Sequence, residues 1–137
     1  ARTVDKVNPG EQQPETDHRM ETDNSDKGNT EGVFFRDAND GHYFSYLMQT
    51  KGETDLSLQL KFWGQDEWRT SEFDIYIDDR LLTSVNNSHR WRTTQFKTVD
   101  YAIPSELVKD KKEVRVKFVA HKGKQVGQIY GVRLVKN

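Results

Sequence analysis

Cysteine is absent, which excludes disulfides, thiolate nucleophiles and cysteine-based metal sites. No stretch approaches the roughly 20 apolar residues of a membrane-spanning helix. Hydrophobic residues make up only 33% of the chain and charged residues 31%, so the core must be economical and the surface rich in charge. Neither sign dominates: 21 basic residues face 22 acidic ones, for a formal net charge of −1. That balance shows no general nucleic-acid footprint and no footprint of an anionic membrane. The run Lys109, Lys111, Lys112 is interrupted by Asp110 and Glu113 and reads as a solvated turn. A phosphate-cradling glycine loop and a Ser-His-Asp pattern are both missing, and no carboxylate pair is marked out from the many acids. Catalysis by this chain is therefore not expected. The chain begins with Ala and shows no signal-peptide apolar region, which reads as a processed product or an excised part of a longer protein.

At 137 residues the size fits one domain. Residues 1–32 carry Pro9, Gly10, Pro14, Gly28 and Gly32, many charges and few apolar side chains beyond Val4, Val7 and Met20. Such a stretch cannot bury enough surface to fold by itself. It is expected to be an extended arm or interdomain linker that wraps something else, with part of 17–23 able to add a strand to a sheet edge.

From residue 33 onward the apolar period is two. Leu56, Leu58, Leu60 and Phe62 alternate with polar residues, as do Phe73, Ile75 and Ile77, and again Val114, Val116 and Phe118. Alternation of this kind marks strands with one buried face. Shorter runs at 33–36, 42–50, 81–85, 95–103 and 128–135 bring the expected number of strands to eight. One helical turn is expected around Pro104–Val108. The fold class that follows is all-β, an antiparallel jelly-roll sandwich over 33–137.

If successive strands run in opposite directions, the connections alternate between two ends. One end then gathers 37–41, 64–72, 86–94 and 122–127, and with them Trp68, Trp91, Asn87, His89, Arg90, Arg92 and His121. A flat indole offers a large contact surface to the C–H face of a sugar ring, and nearby Asn, Arg or His can hydrogen-bond the hydroxyls. The candidate carbohydrate-binding residues are Trp91, Trp68, Asn87, His89 and Arg92. The bland counterpart is that the same rings plug the open end of the sandwich or pack on a neighbouring domain. Trp63, directly after Phe62, is expected to pack into the core. No metal site is expected from His18, His42, His89 and His121, which lack zinc-type spacing, and no cofactor is called for. Asp37, Asn39 and Asp40 are turn formers, with a structural calcium ion as the alternative role.

Two sets of residues resemble known families. The runs Phe73–Asp79, Arg90-Trp91-Arg92, Val114–Phe118 and Tyr130–Leu134 are similar to galactose-binding-like jelly rolls, including family 6 carbohydrate-binding modules. In those modules a loop tryptophan often stacks on sugar, and Trp91 is the matching position. The run Pro9-Gly10-Glu11-Gln12-Gln13-Pro14-Glu15, then Asp17-His18 and Phe35-Arg36-Asp37-Ala38, resembles the C-terminal region of the β-L-arabinofuranosidase-like glycosidases of family 127 and its relatives, formerly grouped as a domain of unknown function. That resemblance implies a β-sandwich following an α/α-barrel catalytic domain, in a secreted or periplasmic bacterial enzyme. It also implies that the partner is the catalytic domain of the same parent chain, with glycans as a further partner and neither nucleic acid nor membrane. Those enzymes use a glutamate and a zinc-bound cysteine in the barrel; this chain has neither barrel nor cysteine, so no catalytic residue carries over.

Overall fold

Each of the eight expected runs contains a strand, and in the three clearly alternating ones the apolar parity points inward, whereas in the shorter runs Phe34 and Leu81 are exposed and Arg36 is the buried residue of its strand. The computed structural model describes residues 2–65 and 70–137. The strands from 33 onward are β4 (Val33–Asp37), β5 (Tyr43–Gln49), β6 (Leu56–Trp63), β7 (Glu72–Ile77), β8 (Arg80–Asn86), β9 (Phe96–Ala102), β10 (Glu113–Ala120) and β11 (Gly131–Lys136). The expected helical turn is a 3-10 turn at Ser105–Leu107. Leu56, Leu58, Leu60, Phe73, Ile75, Ile77, Val116 and Phe118 are all fully buried.

The described residues contain eleven strands rather than eight, and the other three lie in the polar N-terminal stretch. These are β1 (Thr3–Val7), β2 (Glu21–Thr22) and β3 (Asp26–Thr30), with a short helix, α1 (Gln12–Asp17), between the first two. One sheet has the order β1-β11-β6-β9, a second β2-β5-β10-β7-β8, and β3 pairs with β4 as a separate hairpin. From β5 onward the chain crosses between the two large sheets, with all pairings antiparallel. That is the jelly-roll pattern. The Asp78–Asp79 turn between β7 and β8 takes positive φ at both residues, the geometry that matches the twist of a tight hairpin.

The first 32 residues therefore wrap this sandwich itself instead of standing apart from it. β1 adds to the free edge of β11, and Glu21–Thr22 adds to the edge strand β5. What fixes the segment is polar. Arg36 on β4 donates from Nε and Nη2 to the two carboxylate oxygens of Glu15 on α1, at 2.6 and 2.8 Å. The Tyr46 hydroxyl on β5 donates to the same carboxylate at 2.6 Å. Arg36 Nη1 donates to Ser25 Oγ at 2.8 Å. All three principals are buried. Gly10 sits so close to Phe35 that a Cβ there would lie 2.5 Å from the Phe35 carbonyl oxygen. Pro14 is tolerated in α1 because the N–H groups of a first turn lack intrahelical partners.

Burial is the largest influence on the Glu15 carboxyl and raises its pKa, yet the hydrogen bonds from Arg36, the Gly10 backbone and Tyr46, with the Arg36 charge, together hold it below the ordinary value of 4.5. Burial, with the Glu15 charge beside it, pushes the Tyr46 hydroxyl well above its ordinary range. The folded Glu15 pKa being depressed, the pair's stabilisation is complete above the ordinary carboxylate range and is lost as pH falls through the folded value. Glu15→Ala leaves a buried, unpaired guanidinium and is expected to cost about 3–5 kcal/mol in chemical denaturation. Glu15→Leu combined with Arg36→Met should recover most of that loss and flatten the acid limb of stability against pH; a double variant as damaged as Glu15→Ala would contradict this account.

Candidate functional sites at the loop pole and on the four-stranded sheet

The expected loop pole exists. The Asn87 backbone N–H donates to the Ser71 carbonyl at 2.8 Å, Asp40 N–H to Lys124 at 2.8 Å and Gly64 N–H to Gln95 at 2.8 Å, and Glu72 N–H donates to Gln125 at 3.0 Å. The connections before β5, after β6, after β8 and after β10 are thus tied to one another. Asp37 and Asp40 serve as struts in this lacing: their Oδ1 atoms accept from the Gly127 and Gly123 N–H groups, each at 2.9 Å. Among the described residues no three His, Asp or Glu side chains gather as a metal ion would need.

At this pole Trp91 is half-buried and packs on the core. Its ring centroid lies 5.8 Å from that of Phe62, and the Arg90 guanidinium sits over the indole at 4.6 Å. Arg90 also donates to Asn87 Oδ1 at 3.0 Å. Asn87 is 7% exposed, and its Nδ2 is buried with no partner among the described residues, as are Thr93 Oγ1 and Gln125 Oε1. Burial pushes the nearby Tyr101 hydroxyl above its ordinary pKa, with the Arg90 charge acting in the opposite sense. His89 and Arg92 are exposed on the same loop, and His89 has positive φ. Trp68 lies outside the described residues. The structure thus brings Trp91 and Asn87 together and sets His89 and Arg92 beside them. The cleft shared by Phe62, Trp63, Asn87 and Trp91 holds only about 10 Å³, the space of one water-sized sphere. A sugar ring does not fit inside it.

Trp63 departs from the expectation of core packing. Phe62 faces inward, so its neighbour faces outward, as strand geometry requires. Trp63 meets Phe96 edge-on at 4.8 Å on the outer side of the four-stranded sheet. Phe96 in turn meets Tyr130 at 5.1 Å, Tyr130 meets Phe35 at 5.4 Å, and Lys61 Nζ lies 4.4 Å from the Phe96 ring centre. Of this row only Tyr130, itself buried, lines a groove of about 310 Å³ on the outer face of the sheet, with Gln59, Lys61 and Gly131 on its floor, Thr98 and Arg133 beside them, and Lys6, Asn8 and Glu11 along one wall. Sequence reasoning missed it. The signal was the odd-numbered parity of β6, which places Gln59, Lys61 and Trp63 on one face.

Two other concavities are of ligand size, but much of their polar lining is already paired. In one, Glu15 and Arg36 hold each other. In the other, Arg115 pairs with Glu21 and its backbone N–H donates to Asp78 Oδ1, while Lys117 covers Tyr43.

Residues 1–135 match the model of DUF6805, described as a family of unknown function. The chain belongs to that family. No curated protein matches the sequence. Among solved structures, the chain is similar to a family 35 carbohydrate-binding module from an environmental isolate, at 18% identity and TM-score 0.63, covering 100% of this chain and 90% of that one. It is also similar to the C-terminal family 6 module of the LamC laminarinase of Zobellia galactanivorans, at 12% identity and TM-score 0.67, covering 96% and 98%. A family 36 module solved with calcium and xylotriose aligns at 11% identity and TM-score 0.62, covering 94% and 98%. At such identities the likeness shows the shared fold of this DUF6805 domain, an antiparallel jelly roll of the carbohydrate-binding-module type.

Because Trp91 rests on Phe62, its removal disturbs the core as well as the pole. Trp91→Ala is expected to lower stability by roughly 1–3 kcal/mol, below the cost of emptying a fully buried aromatic site. Thermal unfolding that matches the unaltered chain would show that the indole does not brace the pole.

Proposed function

We propose that this domain is a non-catalytic, carbohydrate-binding accessory module of a bacterial carbohydrate-active enzyme, holding glycan in the groove on the outer face of the four-stranded sheet. The observation that carries the reading is the groove itself. It has the volume of a small-ligand site and gathers convergent polar groups on rigid strands. Gln59 is oriented by a hydrogen bond from its Nε2 to Asp100 at 3.0 Å. Arg133 is oriented by one to Thr3 Oγ1 at 3.1 Å. Tyr130 is fixed through its hydroxyl by Thr30 and Gln128, at 2.8 and 3.0 Å. Side chains held in this way lose little freedom when a ligand arrives. The likeness to three families of carbohydrate-binding module supports the same class of ligand.

A second role falls to the loop pole. Trp91 has Arg90 over its ring and leaves a cleft too small for a sugar, while His89, Arg90 and Arg92 stand outward. That arrangement favours packing against a partner surface, which in this reading is the catalytic domain of the same parent chain, in a secreted or periplasmic enzyme.

Titration of the 137-residue chain with a glycan panel separates these roles. Gln59→Ala and Thr98→Ala should each weaken binding by roughly threefold to tenfold, the effect of removing one hydrogen bond to a ligand. His89→Ala and Arg92→Ala should leave it unchanged. Binding lost in the latter pair and kept in the former would move the glycan site to the pole, and binding to no glycan at all would reject the reading.

A further inference from the structure

The groove is electrically lopsided, although the chain as a whole is near neutral. Lys6, Lys61 and Arg133 line it and Glu11 is the sole acid among its lining residues. Among the described residues none of the three cations forms an ion pair. Five cations elsewhere are matched, Arg36 with Glu15, Lys111 with Asp78, Arg115 with Glu21, Lys124 with Glu72 and Lys136 with Glu53; what sets Lys6, Lys61 and Arg133 apart is that three cations share one concavity with a single acid. The nearby Asp100 is engaged by Gln59 and by Arg2. Asp5 is engaged by His18 and by the Gln49 backbone.

The three cations are also spread across the sheet. Lys6 opposes Arg133 in the β1–β11 register, and Gly131 opposes Lys61 in the β11–β6 register. The strand order places the backbone of Gly131 between Tyr130 and Arg133 and beside Lys61. A Cβ at position 131 would come within 3.3 Å of the Lys61 Cβ, so glycine keeps the floor open where a ring would lie. From β1 to β9 the face spans ~14 Å, three strand spacings of about 4.8 Å. A ligand that fills this groove meets apolar surface at Val33, amides and a hydroxyl at Asn8, Gln59 and Thr98, and a net positive field.

We infer that the groove selects an anionic saccharide, one bearing a carboxylate or sulfate, over a neutral one of the same size. This rests on the reading of the groove as the glycan site and adds the class of sugar. Arg133 offers a planar fork suited to a carboxylate or sulfate, and Lys61 and Lys6 supply point charges on either side. The cations act directly, so no divalent ion is needed to bridge ligand and protein.

Calorimetric titration of the 137-residue chain, with and without EDTA, tests this with four probes: a linear trigalacturonate, a neutral galactotriose, a sulfated galactotriose and inorganic sulfate. Binding of either anionic trisaccharide at least tenfold tighter than the neutral one, unchanged by EDTA and weakened at high salt, is the expected result. The stronger of the two identifies the anionic group. Lys61→Gln with Arg133→Gln should lower that affinity at least tenfold, while Lys109→Gln with Lys122→Gln, which removes equal charge elsewhere, should not. Equal affinity for the neutral trisaccharide would overturn the inference and leave the groove as a neutral-glycan site. Loss of binding in EDTA, binding of inorganic sulfate as tight as that of the trisaccharides, or indifference to the Lys61 and Arg133 changes would also overturn it. Failure of all four probes would remove this inference together with the reading beneath it.

Discussion

One buried ion pair decides what the first quarter of this chain becomes. The Glu15 carboxylate receives two hydrogen bonds from Arg36 and one from Tyr46, and all three side chains are removed from water. Burying either charge alone would be strongly unfavourable, and the arrangement is tolerable because every strong group in it is matched. The pair joins α1 to β4 and β5, and so sets the course of the chain before and after it. β1 reaches the open edge of β11, and the segment around Asn8 and Glu11 stands up beside the four-stranded sheet. Without that wall the groove would be a flat sheet face.

The strands β6, β7 and β10 were legible because burial on one face imposes a period of two, and the shorter runs between them were readable mainly from their spacing. β1, β2, β3 and α1 had no such signature. Val4, Val7 and Met20 are too few to form a pattern, and the segment is held by edge pairing and by Glu15–Arg36, which join residues far apart in sequence. The motif residues Pro9–Glu15 and Phe35–Asp37 were visible as separate runs. The structure shows them to be two sides of one contact, in which the Gly10 backbone lies against Phe35 and Glu15 grips Arg36.

Of the candidate site, the convergence of the loops at one pole could be read from strand direction. How deeply each side chain would sit there could not. Trp91 rests on Phe62 and carries Arg90, and Asn87 turns inward; these are packing outcomes that loop composition does not encode. The groove was hidden for another reason. Lys6, Lys61, Thr98 and Arg133 come from four strands that are neighbours only in the folded sheet. The part that was readable, Gln59, Lys61 and Trp63 opposite the buried Leu58, Leu60 and Phe62, was overlooked because attention falls on the apolar half of an alternating strand. The jelly roll itself hosts many functions, so the argument for this DUF6805 domain lies in what the outer face of its smaller sandwich sheet presents.

Hydrogen exchange followed residue by residue in the unaltered chain and in Glu15→Gln tests the central claim, that a buried polar clasp makes the N-terminal segment part of the sandwich. The account predicts that amides of β1, β2 and the β3–β4 hairpin are protected in the unaltered chain and exchange much faster in the variant, while β6, β7 and β10 keep their protection. Rapid exchange of residues 3–30 in the unaltered chain, or the same protection there in both proteins, would contradict it.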